Sequence, residues 1–170
     1  MSFILLENPN VEIIVSHAVT GKILQRQAVR NKVVATGRNV MRDLILGVGP
    51  SPNYIAFGTG TEAVTDADDE LGAEVWRDPC TTRKTRDIEA IYILHVSPWN
   101  ANDTGTWTEV GLFANSGYET AMRYSGPGEG ELQTCPSRGG ILVARARISP
   151  LEKTKFKAVV VTWAISIARG

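Results

Sequence analysis

The stretch YIAFGTGTEAV, beginning at Tyr54, sets two glycines and two threonines behind an apolar run, the material of a phosphate-binding loop. Such a loop needs backbone amides in a cradle, a lysine for the outer phosphates and a helix whose N-terminus faces the ligand. Here no lysine follows the glycines, and Glu62 comes at once, where its charge would repel phosphate. The glycines therefore read as a tight bend leaving a core strand, adopting backbone angles closed to other residues. A second candidate is TDADDE, from Thr65 to Glu70, which alternates oxygen donors at Asp66, Asp68 and Glu70. That spacing can wrap a hard cation, but the glycine and closing bidentate glutamate of a calcium loop are missing. The simpler reading is a short helix capped by Thr65, its acids at the positive end and its body running toward Leu71. No metal and no cofactor are expected.

Hydrolysis needs paired carboxylates, or a nucleophile with its base, converging on one pocket. His17 and His95 stand beside no G-x-S-x-G or H-E-x-x-H pattern, and Glu109, before VGLF, reads as a strand-edge glutamate bonded to turn amides. Trp99 and Trp107 flank the polar loop SPWNANDTG, an arrangement that forms either a sugar-stacking platform or two buried rings. Burial is the base case for large aromatics. With Glu109, the two tryptophans define a remote alternative function, a glycan-binding or glycan-cleaving module. The basic run RKTRD, with Arg138, Arg145 and Arg147, reads as solvated surface or as an intersubunit ion-pair layer. No constellation amounts to an active site, so the expectation is a protein that is not an enzyme.

The elements that would position these residues are mostly short strands. KAVVVTWAISI turns Val159, Val161, Trp163, Ile165 and Ile167 one way and the smaller Ala158, Val160, Thr162, Ala164 and Ser166 the other. GGILVARARIS alternates too, which predicts Leu142, Ala144, Ala146 and Ile148 inward, Arg145 and Arg147 outward, close to the last strand. Further strands are expected over Asn53–Phe57, Ala73–Thr81, Ile88–Val96 and Thr106–Phe113. One helix is predicted near residues 33–46, from the spacing of Val33, Val34, Gly37, Val40, Met41, Leu44 and Ile45 and a stop at Gly47. Before it, VEIIV and KILQRQAV form an N-terminal arm or hairpin over residues 1–30. The predicted fold is mainly β, an antiparallel β-sandwich or barrel-like domain over residues 31–170.

The chain has 170 residues, the size of one domain, and its 18 basic and 18 acidic side chains cancel. No overall field draws it to nucleic acid, so no nucleic-acid partner is expected. MSFILLENPN is too short and too acidic for a signal peptide, and no apolar run reaches membrane-spanning length, so no membrane insertion is expected. Cys80 and Cys135 form no C-x-x-C pair; free thiols or one disulfide are both open.

Taken in order, YIAFGTGTEAVTDADDELGAEVWR, TWTEVGLFA, GGILVARARISPLEKT and VVVTWAISI resemble a family of small phage and prophage virion proteins, tail-fibre or tail-associated. The resemblance runs from about Asn31 to Ile167 and leaves out the first thirty residues and the segment Tyr118 to Gly139. It implies a non-enzymatic virion component of the tail, baseplate or tail fibre, assembled in the bacterial cytoplasm. Its implied partners are other virion proteins and host-surface glycan; a capsid decoration protein is the alternative. The resemblance also supplies a homotrimer. The unequal faces of the last strand place the expected contact at Ala158, Val160, Thr162 and Ala164, rimmed by Arg145 and Arg147. The competing arrangement is a monomer whose small face packs on its own helix, through Val33, Val40, Met41 and Leu44.

Overall fold

Alternating residues write the strands, and turn residues cut them apart. The computed structural model describes residues 3–6, 11–84, 89–98, 104–114 and 139–169. In chain order they form β1 (Phe3–Leu6), β2 (Val11–His17), β3 (Ile23–Val29), β4 (Lys32–Val33), α1 (Ala35–Ile45), β5 (Pro52–Gly58) and β6 (Glu74–Pro79). They continue with β7 (Thr81–Lys84), β8 (Glu89–Val96), β9 (Gly105–Ala114), β10 (Ile141–Lys153) and β11 (Lys157–Arg169). The strands make two antiparallel sheets. Sheet A has six, ordered β3-β2-β11-β8-β7 with β1 also on β11; sheet B has five, ordered β4-β10-β9-β5-β6.

The sheets pack face to face as a β-sandwich. Sheet A contributes Val11, Ile13, Val15, Tyr92, Leu94, Val159, Val161, Trp163 and Ile165, and sheet B Ile55, Phe57, Trp107, Val110, Leu112, Ala144, Ala146 and Ile148. Full burial of such a side chain is worth about 1.5–3 kcal/mol, so this interior holds the sheets together. Trp107, 1% exposed, stacks on Phe57 at 4.2 Å and on Trp76 at 5.9 Å between ring centroids. It is thus a buried ring, the base case of the two arrangements expected, and the alternative of a surface contact to a sugar is excluded for Trp107. Trp99 lies outside the described residues.

Two changes of sheet fall at short strands. β3 passes to β4 through Arg30 and Asn31, and β6 to β7 through Cys80, whose N–H donates to Asn53 O at 2.8 Å. Within the segment expected to be an arm or hairpin, β2 and β3 form a hairpin that pairs along β11 as part of sheet A, and β1 pairs with β11 as well. The expectation that the strand beginning at Ile141 neighbours the last strand is corrected: β10 and β11 are consecutive but belong to opposite sheets. Two irregularities bend β10, at Leu142/Ala144 and at Arg147/Leu151. At the second, Pro150 cannot donate to a ladder, and Gln27 acts as a replacement strand: its side-chain amide accepts from Ser149 N and donates to Ser149 O.

At the first irregularity the carbonyl of Val143 accepts the N–H of Val34, and Thr36 Oγ1 donates to Leu142 O, which seats the start of α1 on β10. A Cβ on Gly37 would lie 1.9 Å from Val143 O, so glycine sets this close approach. The bulge also throws Leu142 to the far side of the sheet, where it joins Val34, Ala56, Leu71 and Phe113, correcting its predicted inward direction. The helix ends at the predicted stop: Gly47 has φ +73, and N–H groups of Gly47 and Val48 donate to Leu44 O and Asp43 O, closing a Schellman cap. Because α1 lies on β10, the small row of β11 does not pack on the helix.

Candidate functional site

The outer face of sheet B is where charged side chains gather, and the strand pattern explains why there is room for them. Glu109 on β9 stands opposite Gly58 of β5, and Gly111 stands opposite both Ala56 of β5 and Arg145 of β10. Small residues around Glu109 leave a trough. Residues 59–73 fold back over it as a strap, closed at the neck by Thr59 N donating to Ala73 O at 2.9 Å. Leu71, 3% exposed, packs into the trough; a Cβ on Gly111 would lie 2.9 Å from Leu71 Cδ2.

Glu109, fully buried, is the lock. Its Oε1 accepts from Gly60 N at 2.8 Å and Ala73 N at 2.8 Å, and its Oε2 from Gly72 N at 3.1 Å and Arg145 Nε at 2.9 Å. Arg145 Nη2 lies 2.7 Å from Oε2 without a directed hydrogen bond, so that contact is an ion pair. Arg145 Nη1 donates to Asp68 Oδ2 at 2.7 Å, and Thr65 donates to both oxygens of Asp68. At the helix, Arg38 forks onto Asp66 at 2.7 and 2.6 Å, while Ala35 N donates to Asp66 O. Both termini of the strap and its middle are thereby tied to β9, β10 and α1.

Electrostatics follow from these contacts. Burial pushes the Asp68 carboxyl up, but hydrogen bonds from Thr65 and Arg145 outweigh it, and the group ionises below the usual range. The Arg38 hydrogen bond holds Asp66 low as well. Burial opposes the charge of Arg145; the Asp68 and Glu109 carboxylates outweigh it and hold the guanidinium more firmly protonated. Beside the strap lies an open depression of about 320 Å3 lined by Glu62, Ala63, Thr65, Asp69, Glu70 and Arg145, among others.

Several sequence expectations change here. The acidic run forms no helix: Thr65 and Asp68 bond across a turn, because Asp68 is drawn to Arg145. Gly58 and Gly60 do not carry positive φ angles; they are glycine because a Cβ would meet Glu109 Oε1 at 2.3 and 2.5 Å. Arg145 does not form an exposed rim, since its side chain is 4% exposed and its charge is paired with Glu109 and Asp68 of its own chain. Arg147 is exposed on β10, in the sheet opposite Ala158, Val160, Thr162 and Ala164. Those four lie half-buried on the outer face of sheet A, together on one face as predicted.

Cys80 is a free thiol whose ionisation burial pushes up to about 12; Cys135 lies outside the described residues. Among the described residues no group of three metal-binding side chains converges. What the sequence reading missed is that Arg145 and Glu109 are partners. The signal was present in the small residues Gly58, Gly60, Gly72 and Gly111, spread over three separate stretches. Comparisons with protein-family models, with curated proteins and with solved structures found no match.

Proposed function

We propose that this chain is a non-enzymatic bacteriophage virion protein of the tail, baseplate or tail fibre, acting through protein–protein assembly. The observation that carries the reading is the lock itself. The segments GTGT, LGAE, EVGLF and LVARA, which bear the resemblance to virion proteins, converge on Glu109 through Gly60, Gly72, Ala73 and Arg145. Four stretches distant in sequence thus have one shared purpose, and it is structural. Both carboxylate oxygens of Glu109 are occupied by donors, so it holds a strap and has no lone pair directed at a substrate. A scaffold of this kind suits a particle component that must keep its shape while neighbours bind it.

Self-association as a homotrimer accompanies this reading, with the outer face of sheet A as one contact. Ala158, Val160, Thr162 and Ala164 are small, half-buried and flanked by the half-buried Ile14 on β2 and Ile91 and Ile93 on β8, with Glu12, paired to Arg26, opposite Thr162 and the exposed His95 opposite Val160. Antibody labelling and imaging of intact particles from an infected or induced host test the assignment. Label on the tail or baseplate is expected; a regular array on the capsid would move the protein to decoration, and a particle without it would overturn a virion role.

A further inference from the structure

We infer that a second copy of this chain docks head to tail, the paired hairpin tips at one end of the sandwich entering the acidic depression beside the strap. This rests on the reading of the protein as an assembling component and names one contact that assembly would use. The β2–β3 and β10–β11 turns are joined by Ala18 N donating to Phe156 O at 2.7 Å. Around that bond Val19 is 75% exposed, Ile23 55% and Phe156 52%, among the most exposed large apolar side chains of the molecule. Single exposed apolar residues are ordinary, but three on bonded and adjoining turns mark a contact surface.

The charges say what kind of surface fits. Lys22 and Lys155 are exposed at these tips, and among the described residues neither has a carboxylate partner; Lys155 lies over the Phe156 ring at 5.2 Å. Lys157 is already paired with Glu152 at 2.6 Å. At the depression the situation is reversed: Asp69 and Glu70 are exposed and have no basic partner among the described residues, beside the apolar Ala63. Unpaired cations with apolar side chains on one surface thus match unpaired anions with an apolar neighbour on another. A chain of zero net charge carries both halves of one contact. Because the two surfaces differ, the contact is heterologous and closes into a ring, a trimer included, or continues as a filament.

The test is sedimentation of the purified full chain at low and high salt, with charge-reversed variants. Association of the wild type is expected to weaken as salt rises, since screening acts on such exposed charges. Lys22→Glu/Lys155→Glu is expected to weaken it about tenfold or more, Asp69→Lys/Glu70→Lys equally, and all four changes in one chain to restore it. All these positions are exposed and make no ion pair among the described residues, and circular dichroism confirms that each variant folds. A wild type that stays monomeric at low salt, or a quadruple variant that stays as weak as the doubles, overturns the contact. So does a monomer whose tips instead bind vesicles of anionic phospholipid in a Lys155-dependent way. Particle imaging reads the other claim: a variant lacking this contact but present in particles leaves the virion role intact, whereas absence of the wild type from particles overturns that role alone.

Discussion

The two outer faces of the sandwich began with the same kind of pattern and end in opposite states. On sheet B, Glu109, Arg145 and a row of glycines are covered by the chain's own strap. On sheet A, Ala158, Val160, Thr162 and Ala164 remain half-exposed with Ile91 and Ile93 beside them. A buried ion pair is a poor source of net stability, because desolvating both charges offsets their attraction. What it supplies here is position: Glu109 has bonding geometry for one arrangement of Gly60, Gly72 and Ala73 and no other. The outer face of sheet A has no covering strap among the described residues, only Glu12 and Arg26 paired across it at 2.8 Å; the self-association proposed above would cover it.

Removing the lock has the largest expected effect. Glu109→Gln leaves Arg145 with no full counter-charge on β9 and replaces an acceptor with an amide that cannot serve all three backbone donors. Loss of one member of a buried pair costs about 3–5 kcal/mol, read by urea unfolding. Glu109→Leu/Arg145→Leu is expected to lose less than the sum of the single replacements, because neither charge is then stranded. Additive losses would mean that the pair does not act as a unit. Limited proteolysis should first cut Glu109→Gln within residues 59–73.

The next effect is steric. Gly60→Ala would place a methyl 2.5 Å from Glu109 Oε1, and overpacking of this kind costs about 1–3 kcal/mol. Gly21→Ala separates crowding from backbone strain: Gly21 has φ +67 and nothing within 4 Å of its added Cβ. If the two replacements respond differently to Glu109→Ala as a second change, with only Gly60→Ala relieved, the close approach to the carboxylate is the cause.

These cases show what the sequence made legible. Period two exposed β11, β9 and most of β10, and apolar spacing with Gly47 located α1 and its end, because those signals lie within a few residues of each other. The division into two sheets did not show, since β10 and β11 alternate alike and only the turn at Thr154 and the bulges send them to opposite layers. Glu109 was legible as a glutamate bonded to turn amides but not as the partner of Arg145, 36 residues away. Arg145 and Arg147 share a period, and nothing in that period says that Asp68 lies over only one of them.

Acid should loosen the strapped face before the open one. Asp66 and Asp68 have folded pKa values below the ordinary carboxylate value of 3.8. Their contribution is complete above that unfolded value and is lost as pH falls through the folded values. Melting temperature should therefore decline below about pH 4, and Asp68→Asn should flatten the decline. At the alkaline end the sign reverses. Burial raises Cys80 from 9.0 and Tyr92 from 10.0, each to about 12, so stability is present below the unfolded values and falls as pH rises from them toward about 12. Cys80→Ser should remove the earlier part of that fall.

The smallest effect on folding is expected on the open face, and it sharpens the contrast most. Ala164 of β11 lies opposite Ile91 of β8, half-exposed and away from the interior that Trp163 and Ile165 fill. A glutamate there can reach water, so Ala164→Glu should change unfolding free energy by no more than about 0.5 kcal/mol, the usual range for surface replacements. Burying that carboxylate in a contact between copies would leave a charge without a partner, which costs far more. Sedimentation should then show a folded protein with weakened self-association. Normal association of Ala164→Glu would remove the outer face of sheet A from the contact, and a large loss of stability would mean that this face is already covered within the chain.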